Sequence, residues 1–261
     1  MSPTDADHRE TTRREFAKQA PSFEAPGSIF RDRGLLDWIG EHVPVDAADL
    51  VLDVAGGNGQ LGRYLAERAA FAVVVDLTRE MLETGAASAA GAGTRNVLFT
   101  EGDATDLPFP DSQFDLVVSR FAFHHFDDPA VAAREMARVC RPGGKVAVID
   151  MVAEDPADAA RRDELERLRD PSHTRALAAK ELASLPAEAG ISAEIVAERR
   201  RTLDATAWVE QGQPPEPAAA EVLKALGEEA DGGAATGLRA RREDGGLVIE
   251  HLYVIAAGRR S

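Results

Sequence analysis

Cysteine is almost absent from this chain. Cys140 is the only one in 261 residues, which excludes an internal disulfide framework. It follows Val139 near an expected helix end, where packing is its simplest role. There is no run of about 20 apolar residues of the kind that spans a bilayer. The N-terminal stretch is charged and carries no apolar signal core, so a cytoplasmic protein without membrane insertion is expected. Positive charge is also short. The chain has 30 Lys and Arg against 45 Asp and Glu, a net charge of -15 and a pI near 4.9. That balance excludes an unaided surface for nucleic acid or an anionic membrane. No solenoid-type repeat is present. What is there is a chain that is 44% apolar, long enough for one large α/β domain with an added cap or lid.

The organising stretch is Val51 to Leu61, V-L-D-V-A-G-G-N-G-Q-L. A short apolar run, a glycine turn and an apolar helix pattern predict strand, loop and helix, the crevice where an open parallel sheet binds ligands. Gly57, Gly59 and Gly62 meet the dinucleotide spacing G-x-G-x-x-G. Asp53 speaks against a pyrophosphate, because a carboxylate there repels phosphate while it can hold an amine or hydroxyl. The loop is therefore ambiguous between a dinucleotide and a phosphate-free nucleoside. The phosphate loop G-x-x-x-x-G-K-[ST] is excluded, because Arg63 and Tyr64 follow Gly62.

Phe71 to Val75 predicts a second strand ending at Asp76, which can accept the two hydroxyls of a ribose or cap the helix starting near Thr78. Leu77 lies beside it. Met81, on that helix, is placed to touch a base or to pack in the core. Val97 to Thr100 predicts a third strand. Asp103 after it can accept an amino hydrogen, with the Ala104 amide beside it, or can simply cap its loop. L-P-F-P-D at 107–111 is a rigid turn. Phe114 to Ser119 and Val146 to Met151 predict strands four and five around a helix closed by R-P-G-G. The alternation predicts a doubly wound α/β fold.

The flanks are less regular. Residues 1–14 read as loose and 15–29 as an irregular segment, so residues 1–34 are expected to be an N-terminal flap or to pack at the domain edge. Residues 35–261 form the main domain. Within it, 155–187 is expected to be a lid over the carboxyl edge, Ile191 to Ile195 a sixth strand, 228–246 an exposed loop and Val248 to Ala256 the last strand.

With these residues in view, the chain resembles a class I S-adenosylmethionine-dependent methyltransferase, and within that family the small-molecule branch with the quinone C-methyltransferases. D-V-A-G-G-N-G, Asp76, G-D-A at 102–104, L-P-F-P-D, S-R-F-A-F-H-H-F-D-D-P and R-P-G-G-K carry the likeness, close over 35–151 and loose beyond. It decides against a dinucleotide. It implies a seven-stranded sheet in order 3-2-1-4-5-7-6 with only the seventh strand antiparallel, and S-adenosylmethionine as cofactor. It also implies that Asp53 and the loop at Ala55, Gly57 and Gly59 hold the methionine moiety, with Asp76 on ribose and Asp103 on the adenine amine. The broader family has glycine in place of Ala55, and alanine also occurs in the quinone-like branch.

Methyl transfer needs alignment and exclusion of water, and a base only where the acceptor must lose a proton. His124 is the first candidate base or orienting group and His173 the second. Arg120 suits a carboxylate or a structural salt bridge. His124 and His125 do not make a metal site, since Asp127 and Asp128 read as turn residues. The phenylalanines at 16, 23, 121, 123 and 126 suit an apolar pocket and a small-molecule substrate. A homo-oligomer is compatible with the sequence. Two other readings stay open: a methyltransferase-fold protein that catalyses a cyclisation or decarboxylation without methyl transfer, and a non-catalytic binding domain. Acids retained at three strand ends argue against the last.

Overall fold

The computed structural model describes residues 3–261. In chain order it contains α1 (Pro3–Phe23), a 3-10 turn at Ile29–Arg31, α2 (Arg33–His42), β1 (Leu50–Val54), α3 (Gln60–Ala66), β2 (Phe71–Asp76), α4 (Arg79–Gly91) and β3 (Val97–Glu101). There follow β4 (Phe114–Arg120), a 3-10 turn at Phe123–His125, α5 (Pro129–Val139), β5 (Cys140–Val152), α6 (Pro156–Arg169) and α7 (Ala179–Glu188). The chain closes with β6 (Glu194–Asp204), α8 (Ala205–Gln211), α9 (Glu216–Ala230), β7 (Arg241–Glu243) and β8 (Gly246–Arg259). The strands lie in the order β3-β2-β1-β4-β5-β8-β6, with β8 antiparallel to both neighbours. This is the expected order, with one strand more than the expected seven: β7 folds back on β8 as a hairpin.

Strands 1, 4 and 5 are apolar on both faces because helices cover both. Side chains alternate across a strand. Leu116 and Val118 therefore face α2 and α3, whereas Val117 faces α5 and α7. α2 is amphipathic and buries Leu35, Leu36 and Ile39, each worth about 1.5–3 kcal/mol when fully buried. Asp32 caps it by accepting from the Leu35 amide at 2.9 Å. Among the described residues no helix is long and apolar enough to cross a membrane.

Four expectations are corrected. From Pro3 onward the N-terminal segment is not loose, residues 1 and 2 lying outside the described residues: α1 runs 21 residues and packs on α4. Its inward face mixes Glu15 and Gln19 with Ala20 and Phe23, so no clean apolar stripe marks it. The 155–187 segment divides in two. α6 packs with α8 and α9 in a small core above the carboxyl edge, around Leu165, Trp208 and Leu226. α7 instead buries Leu182 and Leu185 against the face of the sheet. The sixth strand starts later, at Glu194, because Ile191 only bridges to Arg260. Residues 228–246 are not an open loop: Leu238 and Ala240 are buried in the cap core, and Glu229 accepts from the Thr236 hydroxyl.

Candidate active site

The loop after β1 is built around Asp53. Its carboxylate is buried, and Oδ2 accepts from the Gly62 amide of α3 at 2.7 Å. A side chain at Gly56 would put Cβ 2.8 Å from the Asp53 carboxyl carbon, so glycine is required to seat that acid. Oδ1 has no partner. Burial pushes the Asp53 pKa up to about 6, although Arg120 nearby opposes the shift. The Gly62 amide at the start of α3 is thus held by a carboxylate and is not left open to an anion.

Asp76 ties the loop to the next helix. Oδ2 accepts from the Gly57 amide and Oδ1 from the Thr78 amide, both at 2.8 Å. Burial raises its pKa as well. Two non-glycine residues at strand ends take left-handed backbone, Ala55 at φ 51° and Phe121 at φ 57°, a conformation costing on the order of 1–3 kcal/mol each. Gly57 also has positive φ and faces open space, with Met81 Sδ 3.8 Å from a built Cβ. Gly59 does not line the cavity. Its Cβ would meet Phe99 at 2.7 Å and Val74 at 2.8 Å, so it serves helix–sheet packing.

One cavity of about 550 Å³ runs along the carboxyl ends of the strands. Leu77, Met81, Asp103 and Ala104 line one end, and Asp53, Ala55, Gly57 and Asp76 its middle. Arg120, His124, Trp208 and Tyr253 lie toward the other end. α1 contributes Arg9, Thr12, Phe16, Gln19 and Phe23 to its wall. Arg9 pairs with Asp103 at 2.8 Å and donates to Thr105 Oγ1 at 2.8 Å. Gln19 donates to Asp170 after α6 at 3.2 Å, joining α1 to the cap.

The three histidines differ in their bonds. His124 donates Nδ1–H to Asp150 at 2.7 Å, and its backbone amide donates to the other Asp150 oxygen at 3.2 Å. Its Nε2 has no hydrogen-bond partner among the described residues, and the side chain lines the cavity. Burial opposes its protonation, but Asp150 outweighs it and the pKa is raised. His125 donates to the Ser172 carbonyl at 3.1 Å, and burial with His124 beside it drives its pKa well down. His173, the second candidate, is withdrawn from the cavity. It is buried and donates to Asp163 at 2.8 Å. Among the described residues no group of three or more His, Cys, Asp or Glu is arranged to hold a metal.

Comparison with known proteins converges on one family. The family model described as a methyltransferase domain matches residues 52–148. The uncharacterized methyltransferase YcgJ of Bacillus subtilis is 32% identical over 182 residues, covering 69% of this chain and 72% of its own. Its crystal structure superimposes with a TM-score of 0.79 at 26% identity, over 88% of this chain and 99% of that one. The chain belongs to the class I S-adenosylmethionine-dependent methyltransferases. A demethylmenaquinone methyltransferase of Deinococcus radiodurans is 35% identical over 140 residues, 52% of this chain and 58% of that relative.

Within this methyltransferase, Arg120 is a buried cation without a carboxylate at ion-pair distance among the described residues. It donates to the Phe30 carbonyl at 3.3 Å from both terminal nitrogens and lies over the Phe30 and Phe121 rings. Burial lowers its pKa to about 10, with Asp53 opposing the shift. Several site residues carried no motif. Asp150 was legible only as an acid near a strand end. Trp208, His251 and Tyr253 reach the cavity from the C-terminal third, and nothing in their local pattern sets them apart from core residues.

Proposed function

We propose that this methyltransferase binds S-adenosylmethionine in the 550 Å³ cavity and methylates a small, partly apolar molecule. The donor set suits that cofactor. The bare Oδ1 of Asp53 accepts from the methionine ammonium, and Arg120 takes its carboxylate. Asp76 accepts from the ribose hydroxyls while holding the Gly57 amide. Asp103 and the Ala104 amide hold the adenine edge, with Leu77 and Met81 against the ring. When bound, S-adenosylmethionine supplies an electrophilic methyl group on a cationic sulfonium.

The chain's own residues do the rest. His124 takes a proton from the acceptor on its bare Nε2. Asp150 holds the imidazole in that tautomer and stabilises the imidazolium that forms. α1, with residues 1–34, acts as the flap that excludes water, and α6 as the lid beside it. The observation that carries the reading is the continuity of one cavity from the unpartnered Asp53 oxygen to the unpartnered His124 nitrogen. The test is incubation of the protein with a cell extract and isotopically methyl-labelled S-adenosylmethionine, read by mass spectrometry, with calorimetry against S-adenosylhomocysteine and NAD. A labelled small molecule is expected. Tight NAD binding with no response to S-adenosylhomocysteine would defeat the cofactor assignment, and a substrate altered without label would defeat methyl transfer.

A further inference from the structure

β8 brings two polar side chains to the end of the cavity away from Asp103, and neither has a role in the steps above. His251 is 1% exposed, and neither ring nitrogen has a hydrogen-bond partner among the described residues. Its ring meets Trp208 at 5.9 Å between centroids and Tyr253 at 6.1 Å, both edge to face. Tyr253 is equally buried, and its hydroxyl bonds to no described residue. Both residues line the cavity. Buried polar atoms in folded proteins nearly always have partners, so two buried unpartnered ring nitrogens next to a hydroxyl that bonds to no described residue mark a place where a ligand atom belongs.

Their charge state narrows that ligand. Burial, reinforced by Arg162 close by, pushes the His251 pKa down to about 3, so the ring is neutral. Burial holds the Tyr253 phenol protonated. The pair therefore presents one imidazole N–H, one bare imidazole nitrogen and one hydroxyl, all uncharged. Such a set solvates a neutral oxygen function well, and it does not compensate the desolvation of an anion. An apolar wall lies beside the pair, with Phe121 4.9 Å from the Tyr253 ring and Leu203 and Met151 in the same cavity lining, and the nearby charges of Arg162 and Arg169 face the opposite charge of Glu166.

We propose that His251 and Tyr253 recognise the methyl acceptor, selecting an uncharged hydroxyl or carbonyl group carried on an apolar body. This rests on the cavity being the methyl-transfer site. Because the acceptor is unidentified, the probes are 2-naphthol, naphthalene and 2-naphthoate, titrated by calorimetry into the full chain saturated with S-adenosylhomocysteine. Wild-type protein is expected to bind 2-naphthol at least tenfold more tightly than either of the others. Tyr253→Phe and His251→Phe should each bring 2-naphthol to the level of naphthalene, with S-adenosylhomocysteine affinity within about twofold of wild type. His251→Gln, which keeps a neutral donor and acceptor, should recover part of the preference. If His251→Phe does not fold, Tyr253→Phe, which deletes a single oxygen, decides the matter. Three results overturn the proposal: 2-naphthoate binding tightest, which would mark an anion site in place of a neutral one; no preference for 2-naphthol or no probe binding at all; or a preference unchanged in both variants. Failure of S-adenosylhomocysteine to bind wild-type protein would overturn the cofactor reading itself, and this site with it.

Discussion

Asp53→Asn separates stability from function. The carboxyl is held up to about 6 by burial, against an ordinary value of 3.8. That difference corresponds to about 3 kcal/mol of destabilisation when the group is ionised. The sign follows from linkage. The folded pKa lies above the unfolded one, so the penalty is absent below pH 3.8, grows as pH rises through the interval, and is complete above about 6. Asparagine keeps an oxygen for the Gly62 amide, now at 2.7 Å from Oδ2, and has no charge to bury. Ligand-free Asp53→Asn at pH 7.5 is therefore expected to be more stable than wild type by up to about 3 kcal/mol, at roughly 2–4 °C of melting temperature per kcal/mol for a chain of this size. The gain should vanish near pH 4. Cofactor binding should move the other way. Loss of a charged hydrogen bond to the ammonium costs about 1.5–3 kcal/mol, or roughly 10- to 150-fold in Kd. Thermal unfolding at pH 4 and 7.5, with calorimetry of S-adenosylhomocysteine, measures both. A variant that melts lower at pH 7.5 and binds ligand unchanged would refute the reasoning. Wild-type binding should also release a proton near pH 6, because a cationic ligand favours the ionised acid; calorimetry in buffers of different ionisation enthalpy reads this.

Three further outcomes are expected. Asp150 raises the His124 pKa, so turnover should rise with pH along an acid limb above 6.5, and Asp150→Asn should move that limb to lower pH; a limb unmoved in the variant would remove His124 as the base. Gly59→Ala should lower stability by roughly 1–3 kcal/mol without touching the cavity wall, since its Cβ would meet Phe99 at 2.7 Å on left-handed backbone; a melting temperature equal to wild type would contradict the packing role. Backbone amides of residues 8–23 should exchange more slowly when S-adenosylhomocysteine is bound, because α1 walls the cavity through Phe16 and Gln19; exchange indifferent to ligand would count against the flap.

What could be read from the chain divides along physical lines. The sheet was legible because each inner strand is a short apolar run ending in an acid or a turn, a pattern written in consecutive residues. The same holds for the loop from Asp53 to Gly62, where glycine spacing and one carboxylate lie within ten positions. α1 was not legible. Its buried face carries Glu15 and Gln19, which are satisfied by Lys18 and by Asp170, and the second of these partners lies 151 positions away. The cap core was hidden for a similar reason: Leu165, Trp208 and Leu238 come from three segments whose own periodicity is weak.

The sequence by itself determined the doubly wound sheet, its strand order through family likeness, and the acids at the ends of β1 and β2. Local spacing is sufficient for these, because strand, turn and helix start are set by neighbours. Only the tertiary structure decided which of the two candidate histidines faces the cavity. His124 and His173 both read in sequence as histidines near turns, yet one keeps Nε2 bare beside Asp150 and the other is turned to Asp163. The tertiary structure alone also brought His251 and Tyr253 to that cavity, because strand pairing across β5, β8 and β6 sets what faces the pocket, and pairing over such distances leaves no trace in the residues next to them.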